Sequence, residues 1–309
     1  MLSRIAESLF WIGRYVERSD GTARLLDVHL QLLLEDPWVE ESNACEALLG
    51  VMGSAPKTFS RLCRADVLRL LGTDRTQPSS IATSLWAARE NARGARDVLP
   101  SELWEALNMT VKRLPRQVQQ ERSHEYFRLV RERAALVFGI IDSNISRDDA
   151  WRLITLGRCL EHVDMTARLL ATRSLTEASG PSWSTILRSC GGFEAFQHTY
   201  RGRASSRHAI EFLLLDLLFP RSMTYSLNRA VDCLRGLDPM QSRISVGVDS
   251  LRVLGRVRSQ LEYAPIETLQ DDLPRYMATV QSAVQEAAEG IRDRFFPVNP
   301  DPTWIGENV

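Results

Sequence analysis

The chain has 309 residues, of which 44% are hydrophobic, and its formal net charge at pH 7 is -1. This length accommodates one large domain or two smaller ones, with enough apolar residues for a substantial core. The near-zero charge argues against a general binder of nucleic acids or of anionic membranes.

Helical periodicity runs through most of the chain, and strand patterns are nearly absent. Apolar residues recur at three- and four-residue spacing, and prolines fall between the periodic stretches, where helices begin or end. The pattern predicts helices near 3–35, 43–53, 58–71, 79–98, 101–113, 116–143, 147–174, 183–200 (as shorter pieces), 205–219, 221–236, 242–263 and 268–295. The segment Ser146-Arg147-Asp148-Asp149 is typical of a capping box and predicts the start of the helix near 147.

One segment of the sequence occurs twice. Residues 13–26 read GRYVERSDGTARLL, and residues 157–170 read GRCLEHVDMTARLL. Core packing alone would repeat apolar classes, whereas here individual Arg, Glu and Asp residues recur in register. We therefore expect an all-α protein, a single multi-helix bundle over 1–296 with an internally duplicated charged helix and pseudo-two-fold symmetry. An irregular, proline-rich tail would follow at 297–309.

The repeated charges can pair within each helix. The spacing allows an Arg–Glu pair at i,i+3 and an Asp–Arg pair at i,i+4. The predicted pairs are Arg14–Glu17, Asp20–Arg24, Arg158–Glu161 and Asp164–Arg168. Arg18 adds a further cation in the first copy, and His162 takes its place in the second.

Three arrangements fit this charged face: a solvated surface, a buried network that fixes helix register, or a ligand or catalytic pocket. Gly13 and Gly157 favour an inward face, because a glycine within a helix costs about 1 kcal/mol relative to alanine. Close packing against the backbone would explain both glycines. The balance of acids and bases favours the structural network over an anion pocket, which would require surplus positive charge.

A third charged cluster lies between the two copies, in the helix predicted near 79–98. Arg89, Arg93 and Arg96 are expected on one face, close to Asn91, and Glu90 is the one acid that opposes them. Together with Arg221, this face is a candidate surface for binding carboxylates or phosphates.

Several segments together resemble the bacterial alpha-E domain family, a group of all-helical proteins with a recurring Glu-Arg motif. The similar segments are LSRIAESLFWIGRYVERSD at 2–20, QPSSI at 77–81, ARENARGARD at 88–97, SELWEALN at 101–108, WRLITLGRCLEHVDMTARLL at 151–170 and FPRS at 219–222. The resemblance spans nearly the whole chain. The sequence departs from the family pattern at Cys159 and His162, where an aromatic residue and an arginine are usual.

The resemblance also implies partners. Members of the family are typically encoded beside, or fused to, a circularly permuted ATP-grasp protein and often a transglutaminase-like protein. ATP-grasp enzymes join carboxylates to amines, and transglutaminase-like folds cleave or exchange amides. The resemblance therefore implies a third member of a peptide-synthesising or peptide-modifying system, with a peptide or amino acid as substrate.

Two functional hypotheses follow, besides a purely structural homodimer. The first is an accessory helical protein that binds the amide ligase, its peptide substrate, or both. The second is an enzyme of the same pathway, in which Glu17 and Glu161 act as acid and base and the flanking arginines bind an anionic substrate. A general base requires a carboxylate whose pKa is raised, whereas adjacent arginines lower it, so the accessory role is favoured.

Metal, nucleotide and membrane binding are all disfavoured. The histidines form no metal-binding pattern and no glycine-rich phosphate loop occurs, so no metal or cofactor is expected. The five cysteines are scattered, which disfavours a disulfide framework. The N-terminal segment lacks the apolar core of a signal peptide, and no apolar run is long enough to cross a bilayer. We therefore expect a cytoplasmic protein.

Overall fold

Fourteen α-helices and no strand occur in the part of the chain that the computed structural model describes, namely residues 2–35, 40–54, 61–173, 182–201, 205–238 and 249–297. The all-α prediction is therefore confirmed. The helices are α1 Ser3–Glu35, α2 Glu41–Val51, α3 Arg64–Val67, α4 Ile81–Gly94, α5 Ser101–Arg113, α6 Ser123–Asn144, α7 Asp149–Arg173, α8 Trp183–Ser189, α9 Phe193–Tyr200, α10 Ser206–Leu215, α11 Met223–Leu237, α12 Asp249–Glu262, α13 Ile266–Asp271 and α14 Leu273–Phe295. We call α1–α6 the first half and α7–α14 the second half.

The two helices that carry the sequence repeat lie at the centre of the bundle. Helix α1 packs against α7, α4 and α6, and α7 packs against α1, α11 and α14. Both helices bury apolar side chains completely, among them Ile12 and Val16 of α1 and Leu156 and Leu160 of α7. A helix that is surrounded in this way belongs to the core, so polar residues on its remaining face are also withdrawn from water.

Reciprocal glycines allow α1 and α7 to approach each other closely. A Cβ atom added to Gly13 would lie 2.0 Å from the carbonyl oxygen of Ile154, and one added to Gly157 would lie 2.1 Å from that of Phe10. Each glycine thus faces the residue three positions before the other glycine. Only a residue without a side chain fits at these two backbone contacts, which is the close packing that the sequence predicted.

Local structures around the repeat also occur in pairs. Ser80 and Ser222 cap α4 and α11, and each hydroxyl also donates to a carbonyl six residues earlier, that of Asp74 and of Asp216. Helices α2 and α8 are each followed by a glycine in the left-handed conformation, Gly53 with φ 65° and Gly191 with φ 68°. These pairs are consistent with an internal duplication of the whole bundle, which stays a prediction.

Several predicted boundaries were wrong. Helix α7 is capped by Asp148, whose Oδ1 accepts hydrogen bonds from the amides of Ala150 and Trp151 at 3.0 and 3.3 Å, rather than by Ser146. Asp148 directly precedes the first turn and so reaches its amides. Glycines 191 and 192 separate α8 from α9, and α4 ends at Gly94, before the turn that includes Arg96.

Some other predictions fall partly outside the described residues. The helix predicted at 58–71 begins at Arg64 in the described part and continues as a π-helix over Leu68–Thr73. The start of the helix predicted at 242–263 and the tail from residue 298 onward lie outside the described residues. Within the described ranges, none of the helices has the length and apolarity needed to cross a membrane.

Candidate functional site in the α1–α7 ion-pair network

Glu161 of α7 is bound by two arginines from α1. Its side chain is 1% exposed, and its Oε2 accepts a hydrogen bond from Arg14 Nε at 2.7 Å. Arg18 donates to both carboxylate oxygens, from Nε at 2.5 Å and from Nη2 at 3.0 Å. Such forked, charge-assisted contacts are stronger and more directional than neutral hydrogen bonds. We call these three residues the Glu161 cluster.

Glu17 of α1 is bound in turn by residues of α7 and of the segment before α11. Its side chain is 2% exposed, and its Oε1 accepts from His162 Nδ1 at 2.9 Å and from Arg221 Nη2 at 2.8 Å. Its Oε2 lies 3.4 Å from Arg158 Nε. These four residues form the Glu17 cluster. The arrangement is reciprocal, since each glutamate is held by the charged residues that occupy the same repeat positions in the other helix.

The predicted pairing of arginine with glutamate within each helix was wrong. Instead of Arg14–Glu17 and Arg158–Glu161, the pairs cross between the helices, as Arg14–Glu161 and Arg158–Glu17. The glycine contact brings the two backbones so close that a carboxylate of one helix lies within reach of the other. The predicted aspartate–arginine pairs are present, with Asp20–Arg24 at 2.9 Å and Asp164–Arg168 at 2.8 Å.

His162 fills the position of Arg18 in the second copy and bridges two acceptors. Its Nδ1 faces the Glu17 carboxylate, and its Nε2 lies 2.7 Å from the carbonyl oxygen of Arg221. Because both partners accept hydrogen bonds, this geometry is satisfied when both ring nitrogens carry protons. His162 thus joins the Glu17 carboxylate to the segment before α11, from the repeat position that Arg18 occupies in the first copy.

Arg221 belongs to this network, and its predicted place beside Arg89 was wrong. Besides Glu17, its guanidinium contacts Asp20 Oδ2 from Nη1 at 3.3 Å and donates from Nε to the carbonyl of Cys190 at 3.1 Å. A histidine ring can give Glu17 only one hydrogen bond, whereas an arginine fork gives two. Arg221 supplies the second bond, and its position just before the capping residue Ser222 aims it at the centre of the bundle.

The network keeps both glutamates ionised. Burial alone raises the pKa of Glu17, but Arg221, His162 and Arg158 outweigh it and hold this pKa well below its usual range. Burial likewise raises the pKa of Glu161, and Arg14 and Arg18 reverse the effect, so that its pKa is also lowered. Both carboxylates are therefore weak bases that hold no proton near neutral pH, which suits ion pairing better than acid–base catalysis.

A groove lies beside the Glu161 cluster, between α1, α7 and α14. Its volume is about 600 Å³, and its lining includes Trp11, Arg14 and Arg168 together with Gln285 and Arg292 of α14. Arg14 lies 5.5 Å from the centre of the Trp11 ring while it holds Glu161. The groove is large enough for a small molecule or a short peptide segment.

The arginines of the predicted basic face are mostly occupied by their neighbours. Glu90 contacts both Arg89 and Arg93, and Arg89 also donates to Asn108 at 2.9 Å. Asn91 donates to the carbonyl of Ala87 within the helix. Arg96 lies beyond the end of α4, and it shares the Trp104 ring with Arg89, each guanidinium being 5.4 Å from the ring centre. Glu90 is thus shared by two arginines, and Arg89 and Arg96 also contact side chains that are neutral.

Sequence reasoning missed the cross-helix pairing, the role of Arg221 and the contact between the hydroxyls of Ser54 and Ser79. The available signal for Arg221 was a similarity between two segments. QPSSI lies at the start of α4, and FPRSM lies at the start of α11. No group of three or more His, Cys, Asp or Glu side chains within the described ranges could hold a metal ion.

Comparison with known proteins gives one family and distant relatives. A family model, Alpha-E, described as a predicted alpha-helical domain with a conserved ER motif, matches residues 1–296. An uncharacterized protein of Mycobacterium bovis and one of Mycobacterium tuberculosis are each 24% identical over 337 residues, covering 97% of this chain. The chain spans 38% of the length of these relatives. No solved structure matches.

Proposed function

This chain belongs to the Alpha-E family, and we propose that it is an accessory helical protein of a bacterial peptide-synthesising or peptide-modifying system. In this role it works in the cytoplasm with a circularly permuted ATP-grasp amide ligase and a transglutaminase-like protein, and it binds the ligase, the peptide substrate, or both. The chemistry of amide formation, including the use of ATP, belongs to the ligase.

The single observation that carries an accessory role is the state of the two central glutamates. Glu17 and Glu161 are buried, paired with cations from the opposite helix, and held ionised by a lowered pKa. A buried network of this kind fixes the register of two packed helices. It offers no carboxylate poised to exchange a proton with a substrate, which is what the enzyme hypothesis requires.

The length of the relatives is compatible with this proposal. The mycobacterial proteins match this chain over only 38% of their own length, so each carries extensive sequence beyond the matched region. A helical module that acts beside other domains or proteins fits this arrangement.

An enzymatic role is the second candidate, favoured by one observation. The groove of about 600 Å³ beside Arg14 and Arg168 places cations next to the Glu161 cluster. In this alternative, Arg14, Arg24, Arg158 and Arg168 hold an anionic substrate, and Glu17 and Glu161 transfer protons. Glu161 would have to exchange its arginine partners for substrate before it could accept a proton.

Substitution of each glutamate distinguishes the two roles. We expect Glu17→Gln and Glu161→Gln to lower the melting temperature, with product formation falling only as far as folded protein is lost. The product is measured by mass spectrometry in a reaction with the purified ATP-grasp ligase, and Glu105→Gln on the exposed face of α5 is the matched control. Loss of product with an unchanged melting temperature would establish the enzymatic role instead.

Association with the ligase is tested separately. Purified chain and a circularly permuted ATP-grasp ligase from the same genome should co-elute in size-exclusion chromatography at micromolar concentration. Two separate peaks at that concentration, with and without ATP and peptide, would contradict the proposed partnership.

A further inference from the structure

Ser79 and Arg221 occupy corresponding places in the two halves. Each directly precedes the serine that caps the next helix, Ser80 for α4 and Ser222 for α11. In the second half, the guanidinium of Arg221 reaches inward to three acceptors, the carboxylates of Glu17 and Asp20 and the carbonyl of Cys190. The short side chain of Ser79 cannot reach the equivalent point in the first half.

The first half contains the same kinds of acceptor around an open cavity. The carboxylates are those of Glu161 and Asp164, the repeat counterparts of Glu17 and Asp20. Met52 precedes the left-handed Gly53 as Cys190 precedes the left-handed Gly191, so the two backbones turn in the same way at these residues. The residues lining the cavity are Arg18, Met52, Gly53, Ser54, Gln77, Pro78, Ser79, Glu161, Asp164, Met165 and Arg168.

The space beside the central glutamate differs between the two halves. The cavity beside Glu161 measures about 260 Å³. Two spaces lie beside Glu17, and His162 and Arg221 line both of them. The one that Cys190 also lines measures about 20 Å³, and the other measures about 250 Å³. In the second half, a guanidinium that belongs to the chain itself, that of Arg221, occupies the position between Glu17 and Asp20.

We propose that the cavity beside Glu161 binds a guanidinium group supplied by a ligand, at the position that Arg221 fills in the second half. The volume of about 260 Å³ lies just below the range of about 300–1,000 Å³ that drug-sized ligands occupy, so it suits one side chain rather than a nucleotide. The bound group is the end of an arginine residue in a peptide or of a small free guanidine compound.

The cations that line the cavity are compatible with this ligand. Arg18 and Arg168 are both paired with acids, with Glu161 and Asp164 respectively. Their counterparts in the second half, His162 and Arg24, stand in the same relation to Glu17 and Asp20, and the Arg221 guanidinium is bound between those acids all the same. A carboxylate offers about four lone-pair positions, so Glu161 can accept a further donor besides its two arginines.

This inference goes beyond the proposed function and stands without it. A peptide-modifying role would make an arginine-bearing peptide the natural ligand, but binding is measured on the isolated chain. A failure of the ligase to associate would therefore leave the site untouched, and a failure of the site would leave the partnership untouched.

The site is tested by calorimetric titration of agmatine into the wild-type chain and into Ser79→Arg. We expect saturable binding to the wild type and binding at least about tenfold weaker to Ser79→Arg, because the new side chain fills the cavity as Arg221 does. Ser143→Arg, on the exposed face of α6, should bind agmatine as the wild type does. Butylurea, which has no charge, should not bind. N-acetylarginine amide in place of agmatine separates an arginine residue from a free guanidine as the source.

Equal binding of agmatine by the wild type and Ser79→Arg would overturn the proposal, and so would the absence of binding to the wild type at millimolar agmatine. The mirror variant Arg221→Ser provides a second measurement. Agmatine should raise its melting temperature more than that of the wild type, because the variant has two open sites. An equal shift for the folded variant would count against the correspondence of the two sites.

Discussion

The Glu17 and Glu161 clusters bind the same kind of carboxylate with different residues. Glu161 receives three hydrogen bonds from two arginines of a single helix. Glu17 receives its closest contacts from His162 and from Arg221, which reaches in from outside the central helix pair. The difference shows that the position of the cation matters more than the residue that supplies it. His162 stands in α7 at the repeat position of Arg18, and Arg221 adds a cation from the segment before α11.

The Glu17 cluster and the Glu161 cluster connect differently to the rest of the bundle. Arg221 ties the start of α11 and the end of α8 to the central crossing through Glu17, Asp20 and the Cys190 carbonyl. In the first half Ser79 stands at the corresponding place, its hydroxyl contacts that of Ser54 after α2, and a cavity lies beside it. In the second half the chain's own Arg221 thus bridges Glu17 and Asp20, whereas in the first half a cavity lies at the corresponding position beside Glu161.

The largest expected effect comes from neutralising Glu161. Glu161→Gln leaves Arg14 and Arg18 without a charged partner in the core, which should lower the free energy of unfolding by about 3–5 kcal/mol. Glu17→Gln should cost about 1 kcal/mol less, since Arg221 keeps Asp20 as a charged partner and Arg158 is partly exposed. Urea unfolding monitored by circular dichroism measures both. An equal or reversed order would show that the two clusters do not differ in this way.

The glycine contact is the next test, because both clusters depend on it. Gly13→Ala and Gly157→Ala should each lower the free energy of unfolding by about 1–3 kcal/mol, since the added Cβ meets a carbonyl oxygen of the other helix. Gly139→Ala in α6 is the matched control, because no atom lies within 4 Å of its added Cβ. This control should be stabilising by about 0.4–1 kcal/mol. Similar effects at all three positions would contradict the close crossing.

The pH dependence of stability follows from the lowered pKa values of the two glutamates. Below the folded-state pKa values, both glutamates are protonated in the folded and in the unfolded protein. Between those values and the ordinary pKa of 4.5, they are protonated only in the unfolded chain. The contribution is thus complete above about pH 5 and is lost as the pH falls, by up to about 1.4 kcal/mol per pH unit for each carboxylate. Unfolding of the wild type and of Glu161→Gln between pH 3 and 7 measures it, and equal slopes would refute the assignment.

The smallest effect separates the two aspartates. Asp164 pairs with the partly exposed Arg168, and Asp164→Asn should cost less than about 1 kcal/mol. Asp20 is buried and contacts both Arg24 and Arg221, so Asp20→Asn should cost about 1–3 kcal/mol. Thermal unfolding of the two variants side by side tests this difference, which disappears if Arg221 does not bridge Glu17 and Asp20.

The sequence predicted the helices better than the network. The bounds of α1 and α5 agree with the predictions 3–35 and 101–113, because uninterrupted periodicity and a flanking proline define them locally. The burial of the repeated charges followed from the paired glycines. The partners of each glutamate did not follow, since they depend on how two helices cross, which no local spacing encodes. Arg221 was misplaced for the same reason, because its long side chain reaches the centre from a turn.

The central claim is that buried ion pairs join α1 to α7, and a double-mutant cycle on Arg18 and Glu161 tests it most directly. The free energies of unfolding of Arg18→Ala, Glu161→Ala and the double variant give the coupling between the two side chains. We expect a coupling of about 1–3 kcal/mol, against less than about 0.5 kcal/mol for the exposed pair Arg128–Glu132 of α6. A coupling for Arg18 and Glu161 no larger than that of the exposed pair would contradict the claim.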